Sequence, residues 1–500
     1  MPTSTPAEAS AGRNLAILAL AAMAVALAQT MLIPALGELG EQLDAGPNGV
    51  AWTLTGYLLA AAVCTPIIGR LGDMFGKRRL LVISLLVFAL GSGLSALGNS
   101  LEIVVLGRVL QGLGGGVFPL CFGIVRDEFP RERVPTAIGL LSAIAGIGGG
   151  VGLLLGGLIV DHVSYHWIFW AGGIMAALAA VAMQVFIPES PERTPGRIDW
   201  RGAAVMTVGL TLPLFAISRA GEWGWLDPRF LGLVLAGLVV LAGFIALQRR
   251  TVDPLVDVAT LSLPPVLMTN IATLLVGFGM FGSFILVPQL VQAPESTGYG
   301  FGADATTTGL LMLPGSLMML VTGPLSGRIA DRSGPRVALA LGAVVCGLGL
   351  AAMAVLHGSE LEVLLCCIVI FAGIGLAFAA MPMLIVEAVP SSQTGQATGV
   401  NALVRSIGSS VGSQMTASIL AGSVVAAGAG AAGVGHPTEG AFQLAFLLTA
   451  GVAIISAVFA MRIPAGVPHH HPPVLEEIGA AAPLGDPAQA VDGTVPKDRV

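Results

Sequence analysis

The sequence predicts an all-α membrane protein with fourteen transmembrane helices, on the basis of three observations. Charged residues make up only 10% of the chain and hydrophobic residues 55%, whereas soluble globular proteins carry about 25% charged residues. The chain is a series of long apolar runs separated by short polar connections. A charged segment that interrupts these runs occurs twice. Together these observations indicate a polytopic membrane protein with an internal duplication.

The predicted spans are apolar runs close to the ~20 residues that a helix needs to cross the hydrocarbon core. They are 14–36, 50–69, 80–98, 103–125, 136–160, 167–187, 202–219, 230–248, 266–292, 305–327, 337–357, 363–387, 397–425 and 441–461. Lys and Arg are retained on the cytoplasmic side of membrane proteins. With the N-terminus inside, 19 of the 23 fall on that side, and the exceptions are Arg108, Arg219, Arg229 and Arg405. The sequence therefore predicts a multi-pass plasma-membrane protein with both termini cytoplasmic.

The two charged segments show how the spans are grouped. The first charged segment (residues 69–79) reads GRLGDMFGKRR and the second (residues 327–336) reads GRIADRSGPR. Aligned at an offset of 258, they share two Gly, the first Arg, the Asp and the last Arg. The first joins spans two and three, and the second joins spans ten and eleven. A shift of eight spans predicts two six-helix halves with an extra pair between them, and a substrate site between the halves.

This 6+2+6 arrangement predicts five regions along the chain. They are a cytoplasmic N-terminal segment (1–13), the N-terminal half (14–187), a linker with two extra helices (188–262), the C-terminal half (263–461) and a disordered, Pro-, Ala- and acid-rich cytoplasmic tail (462–500). The sequence contains no nucleophile–base pair, metal-ligand cluster or phosphate-binding loop. We therefore expect a protein that is not an enzyme, with no cofactor, no metal site and no nucleic-acid partner.

The charged segments resemble the loop signature of the major facilitator superfamily, in which G-x-L-x-D-x-x-G is followed by basic residues. With fourteen spans, the chain is similar to the drug:proton antiporter branch of that family, over residues 14–461. The resemblance implies the major facilitator fold and export of hydrophobic small molecules in exchange for protons. The expected partners are that substrate, the proton and membrane lipid, and the oligomeric state is left open. A facilitator or importer on the same fold, and a non-transporting membrane sensor, are the alternatives.

The charged segments are interpreted as a gate that holds the two halves together. Asp73 suits a helix N-terminus, where the helix dipole favours an anion. Residues 126–133 resemble the loop that meets the first segment, which implies a carboxylate partner for Arg70 or Arg78. A loop that only sets topology is the alternative. The predicted gating residues are Gly69, Arg70, Asp73, Gly76, Lys77, Arg78, Arg126, Asp127, Gly327, Asp331, Arg332, Gly334 and Arg336.

Two arginines fall inside predicted spans, where a guanidinium is costly unless it meets an acceptor or water. Residues 106–112 resemble the fourth-span motif whose arginine is linked to proton transfer. For this arginine, Arg108, we expect Gln111, backbone carbonyls and water as partners. For Arg405 in span thirteen, the nearest plausible partner in sequence is Glu387. No Asp or Glu lies in the middle of a span, so proton coupling rests on the resemblance.

Glycines every four residues on span five predict close helix packing. The same pattern occurs on span thirteen, and the predicted packing residues are Gly148, Gly152, Gly156, Gly157, Gly408 and Gly412. Span five resembles the antiporter signature that ends G-P-x-x-G-G, with Leu153 in place of the proline.

Neutral polar and aromatic side chains within the spans are candidates for lining a substrate cavity. They are Gln29, Trp52, Tyr57, Gln111, Asn270, Phe281, Phe284, Gln289 and Asn401. Structural roles explain each of them about as well, and Trp52 and Tyr57 equally suit anchors at the membrane interface.

Overall fold

A computed structural model describes residues 6–45, 47–190, 193, 196–423 and 436–464. These residues form seventeen α-helices. The helices are α1 (Pro6–Thr30), α2 (Leu36–Gln42), α3 (Pro47–Phe75), α4 (Lys77–Leu97), α5 (Leu101–Leu113), α6 (Val117–Glu128), α7 (Val134–His162), α8 (His166–Phe186), α9 (Trp200–Trp223), α10 (Pro228–Gln248), α11 (Val258–Leu261), α12 (Pro264–Gln292), α13 (Ala305–Ser333), α14 (Pro335–Met353), α15 (Glu360–Ala388), α16 (Thr394–Ala421) and α17 (Glu439–Met461). The predicted all-α fold class is confirmed. The tail from residue 465 onward lies outside the described residues.

Thirteen helical segments in the described part of the chain are long and apolar enough to cross a membrane. One of them is Leu101–Glu128, which the three glycines at 114–116 divide into α5 and α6. The predicted span that is missing from these thirteen is span thirteen (397–425), which corresponds to α16 and its 28 residues. This helix falls outside the thirteen because it is the most polar of the long helices, with Arg405 at its centre and many Ser, Thr and Gly residues.

Each fifth span packs against the first span of its own half through glycines. A Cβ on Gly148 or Gly152 of α7 would collide with Ala26 or Thr30 of α1. The Thr30 hydroxyl also donates a hydrogen bond to the Gly148 carbonyl, at 2.6 Å. On α16, Gly408 and Gly412 lie in the same way against backbone of α12. Close packing is therefore seen where the glycine pattern predicts it, and Gly156 contacts the Met31 backbone while Gly157 is buried.

The two halves meet along two helix pairs. Gly139 and Gly323 bring α7 and α13 into backbone contact. In the other pair, Gly69 and Gly395 do the same for α3 and α16. The end of the bundle where these contacts and both charged segments lie is called the charged face below.

The extra pair, α9 and α10, packs beside the α3–α16 pair. Asp199 accepts a hydrogen bond from the Gly202 N–H at the start of α9 and another from the Gln248 side chain at the end of α10, at 2.7 and 2.6 Å. Trp225 donates to Ser418 of α16, at 3.0 Å. The extra helices are thus attached to one of the two helix pairs that join the halves.

Candidate gating site and intramembrane arginines

Asp73, in the last turn of α3, connects the two halves. Its carboxylate is fully buried and accepts hydrogen bonds from the backbone N–H groups of Gly395 and Gln396, at 3.1 and 2.8 Å. These groups belong to the first turn of α16, which lacks intrahelical partners for them. Asp73 of the N-terminal half therefore caps a helix of the C-terminal half, and it lies at a helix N-terminus as the sequence predicts.

Lys77 holds the buried carboxylates together at the charged face. Its ammonium lies 2.7 Å from Asp127 and 3.7 Å from Asp73, and all three side chains are at most 1% exposed. The lysine stem passes over Gly123, where a Cβ would lie 2.6 Å from the lysine Cδ. The sequence predicts that residues 126–133 supply a carboxylate to Arg70 or Arg78, and this pairing is wrong. The carboxylate, Asp127, pairs with Lys77, because Gly123 leaves room for the lysine stem to reach it. Arg70 is buried nearby.

Arg78 pairs instead with Glu189, in the segment that follows α8. The Glu189 carboxylate accepts from the backbone N–H groups of Arg78 and Arg79, at 3.0 and 3.1 Å, and so caps α4. Its second oxygen lies 3.6 Å from the Arg78 Nε. Gly76 precedes these residues with a φ of 108°, and a Cβ there would lie 2.6 Å from the carboxylate. The sequence reasoning missed Glu189, although an acid directly after a span on the Lys- and Arg-rich side was a usable signal.

The N-terminus of α16 is held by further contacts at the charged face. Arg126 of α6 donates to the Thr394 hydroxyl and to the Val389 carbonyl, at 2.6 and 2.8 Å. From the linker before α12, the Leu255 carbonyl accepts from the Gln396 side chain, at 2.8 Å. Sequence reasoning found Arg126 and missed its acceptors, because they become neighbours only when the halves pack together.

The second charged segment makes fewer polar side-chain contacts than the first among the described residues. Asp331 and Arg332 are exposed, whereas Gly334 takes a φ of 86° and Gly327 packs against Pro135 and Thr136 of α7. Arg336 donates to the Ile463 carbonyl, at 3.3 Å. In this segment Gly327 therefore contacts the other half, whereas Gly334 serves the turn and the Asp331 side chain is not buried at a helix N-terminus.

Arg108 is fully buried within the N-terminal half. It donates to the carbonyls of Thr53 and Ala28, at 3.0 and 3.3 Å, and to the Gln111 side chain, at 2.6 Å. Its guanidinium carbon lies 4.5 Å from the Tyr57 ring centroid, and its Nη2 is buried without a hydrogen-bond partner among the described residues. Arg108 thus ties α1, α3 and α5 together through the neutral acceptors that the sequence predicts.

Arg405 has a different environment from Arg108. Its guanidinium carbon lies 4.3 Å from the centroid of Phe378 on α15, and the side chain is partly exposed. Glu387 lies nine residues further along α15, which corresponds to about 13 Å of helix rise. Glu387 is exposed at the charged face and near Asp331. The expected pairing of Glu387 with Arg405 is therefore wrong, because the two residues lie at different depths.

Several candidates for the cavity lining are engaged elsewhere. Gln111 is fully buried between Arg108 and the Ser92 hydroxyl. The Trp52 ring lies against α9, 5.8 Å from Phe215 and 5.6 Å from the Arg219 guanidinium carbon. Tyr57 is buried under Arg108. These three candidates stabilise helix contacts, which the sequence could not distinguish from cavity lining.

The remaining candidates lie on α1, α12 and α16. Asn401 donates to the Asn270 and Thr273 side chains, both at 2.9 Å, and so joins α16 to α12. Phe284 is partly exposed and reaches Gly149 of α7, in the other half. Gln29 is partly exposed and Gln289 is exposed. The Phe281 side chain lies outside what the structure describes.

Comparison with known proteins agrees with this architecture. The family model described as Major Facilitator Superfamily matches residues 18–413. The "Tetracenomycin C resistance and export protein" of Streptomyces glaucescens is 30% identical over 84% of this chain and 78% of its own length. The "Multidrug resistance protein 3" of Bacillus subtilis is 25% identical, over 82% of this chain and 80% of its own.

A solved structure has the same fold. It is that of the human organic anion transporter MFSD10 (TETRAN), which covers 91% of this chain and all of its own with a TM-score of 0.63. Its sequence identity of 15% supports the fold alone. The long family match and the relative at 30% identity place the sequence in a family of membrane transport proteins. This chain belongs to the major facilitator superfamily and is a multi-pass, non-enzymatic membrane transporter.

Proposed function

We propose that the protein exports hydrophobic small molecules from the cell by alternating access, in exchange for protons. The observation that carries this proposal is the cap that Asp73 places on α16. Because the carboxylate and the N–H groups belong to different halves, opening a path at the charged face requires these hydrogen bonds to break. A contact of this kind is expected of a gate that opens and closes once in each transport cycle.

The direction of transport follows from orientation and from relatives. We take the charged face as cytoplasmic because Lys and Arg concentrate there. This orientation places both termini on the cytoplasmic side of the plasma membrane. Relatives that cover most of this chain carry the names of an antibiotic export protein and a multidrug resistance protein. Fusing a reporter that is active only in the cytoplasm to the C-terminus tests the orientation, and an inactive reporter contradicts it.

Proton coupling is proposed to involve Arg108. The residue links three helices of one half through hydrogen bonds to neutral acceptors, and one guanidinium nitrogen has no partner among the described residues. A protonation event or a substrate that reaches this nitrogen changes the balance of a buried network, which in a low-dielectric medium alters helix packing.

The five regions predicted along the chain, including the 188–262 linker, form part of this proposal.

Efflux of a lipophilic dye from proteoliposomes, with and without an imposed pH gradient, tests the proposal. We expect the gradient to accelerate efflux by wild type and Arg108→Gln to abolish that acceleration. Monodisperse elution of the purified variant from a sizing column is the control, because it shows that the variant is still folded. Efflux that ignores the gradient contradicts antiport, and absence of efflux across a broad panel of compounds contradicts export.

A facilitator without proton coupling is the second candidate function. One observation favours it: every Asp and Glu of the long helices lies within the first or last turn of a helix in the described ranges. A carboxylate at mid-depth is the usual proton carrier within a membrane. The same efflux assay distinguishes the two, because a facilitator gives equal rates with and without the pH gradient.

A further inference from the structure

Arg405 is a cation inside a membrane-spanning helix, and the described residues offer it no counter-charge. It lies in the middle of α16, and its recorded contact is the face of Phe378, at 4.3 Å. Among the described residues, none accepts a hydrogen bond from its guanidinium or forms an ion pair with it. A guanidinium carries five N–H donors, and leaving them without acceptors at membrane depth is unfavourable.

The contrast with Arg108 shows that Arg405 is available to a ligand. Arg108 is 0% exposed and has three acceptors. Arg405 is partly exposed, and its nitrogens are not among the buried polar atoms that lack partners. They therefore face open space, where a molecule within the protein is able to approach them.

Aromatic side chains continue from Arg405 along one face of α15. Phe371 lies two helical turns from Phe378, which is about 10 Å along the axis and on the same side of the helix. Phe284 of α12 packs edge-on against Phe371, with ring centroids 5.2 Å apart. Phe284 also reaches Gly149 of the other half. Phe371 is only 1% exposed, so the partly exposed Phe284 is the ring of this pair that a ligand is able to reach. A cation at one end and the Phe284 ring at the other suit a ligand with an acidic group and an aromatic body.

We propose that Arg405 binds the acidic group of an amphiphilic aromatic anion, a carboxylate or an ionised phenol. The aromatic body lies towards the partly exposed ring of Phe284. The inference deepens the proposed export function by naming a substrate class, and it rests on that function for the statement that the bound molecule is transported. The described spans carry no mid-depth carboxylate that would favour a cationic substrate instead.

Equilibrium binding to the purified full chain in lipid nanodiscs tests the proposal, with empty nanodiscs subtracted. The probes are 1-pyrenebutyrate and its primary amide, which share one aromatic body and differ in charge. Hydrogen bonds between two charged groups are markedly stronger than those to a neutral group, so we expect the acid to bind at least about 10-fold more tightly than the amide. Arg405→Gln should remove this preference, and Arg405→Lys should keep part of it.

A control variant on the same helix is Ser413→Ala, whose hydroxyl bonds to the Ser410 carbonyl within α16. Its acid-to-amide ratio should match that of wild type. Equal binding of acid and amide by wild type, no binding of either, or an unchanged ratio in Arg405→Gln overturns the proposal. Dye efflux measured on the same preparation separates the two ideas. Efflux without an acid preference overturns the anion site alone, and an acid preference without efflux of any probe overturns the export function alone.

Discussion

Gly76 and Gly334 occupy equivalent positions in the two charged segments, with φ of 108° and 86° and ψ of 128° and 149°. The first glycine of each segment also packs on the start of a fifth span of the opposite half, Gly69 on Gly395 and Gly327 on Pro135. The backbone of the gate is thus present twice, in the same conformation and with the same type of neighbour.

The side chains differ between the two segments. Asp73 is buried at the N-terminus of α16, whereas Asp331 is exposed. At the position that corresponds to Gly395, α7 has Pro135, which lacks the N–H that a carboxylate would accept. At the position of Lys77, the second segment has Pro335. The two prolines therefore remove the lysine and one of the two backbone donors from the second copy.

The difference indicates a division of labour between the two helix pairs. The α3–α16 pair is held at the charged face by charge and hydrogen bonds, which form or break with small displacements because their strength depends steeply on geometry. The α7–α13 pair is held by glycine packing along its length. We infer that the first segment is the side of the gate that responds to the transport cycle. The following variants test this comparison.

The largest effect is expected for Lys77→Met. This change leaves Asp73 and Asp127 buried without their cation, and breaking a buried pair typically costs about 3–5 kcal/mol. We expect a marked fall in thermal stability and yield of the solubilised protein. Arg79→Ala is the matched control, since Arg79 is exposed and donates to Glu189 through its backbone N–H. Equal stability of the two variants contradicts the buried triad.

Gly69→Ala should have the second-largest effect on thermal stability. Its Cβ would overlap the Gly395 backbone, and overpacking of this kind typically costs about 1–3 kcal/mol. Gly327→Ala should cost less, because its Cβ would lie 3.0 Å from Pro135 and Thr136. Thermal unfolding of both variants measures the difference. At Gly451 a Cβ would meet nothing within 4 Å, so Gly451→Ala is the control and should not destabilise the protein. If Gly451→Ala lowers the unfolding temperature as much as Gly69→Ala does, overpacking is not the cause.

Asp73→Asn should change the gate more than the fold. The amide keeps one acceptor oxygen but loses the charge, so we expect the contact between halves to weaken by about 1–2 kcal/mol, a shift of roughly 5- to 30-fold in the closed-to-open ratio. A cysteine introduced by Thr398→Cys, at a position that is 3% exposed, should then react faster with an impermeant maleimide. Transport should slow while yield is retained.

Asp331→Asn is the comparison for this measurement. Because Asp331 is exposed, its neutralisation should alter maleimide reactivity by less than about two-fold, in line with the small contribution of surface charges. Equal effects of the two Asp substitutions would show that the segments work symmetrically, contrary to the division of labour inferred above.

The sequence was sufficient for the features that depend on local pattern. Span-length apolar runs predicted the helices, and the repeated Gly residues marked the turns at Gly76 and Gly334, both of which have positive φ. Glycine spacing predicted which helices approach closely. These properties are encoded within one helix or one turn, so a single sequence reveals them.

Pairings between distant segments were beyond the sequence. Lys77 rather than Arg78 reaches Asp127 because Gly123 leaves room for the lysine stem, a fact about two helices in contact. Glu387 and Arg405 lie at different depths in the membrane and do not pair. Gln111 and Trp52 contact side chains of neighbouring helices, Ser92 and Phe215. Such outcomes depend on helix rotation and crossing, which hydropathy does not specify.

The smallest effect is expected for Pro335→Lys, which restores a lysine at the position equivalent to Lys77. The residue that corresponds to Gly123 in the C-terminal half is Met383, which is 2% exposed, so the position has a long buried side chain where Gly123 leaves room for the lysine stem. The new ammonium would therefore remain near the surface beside Asp331 and Glu387, where an ion pair contributes about 0–1 kcal/mol. Thermal unfolding should change by no more than that, and a gain of several kcal/mol would mean that the proline alone keeps the second copy from forming a buried triad.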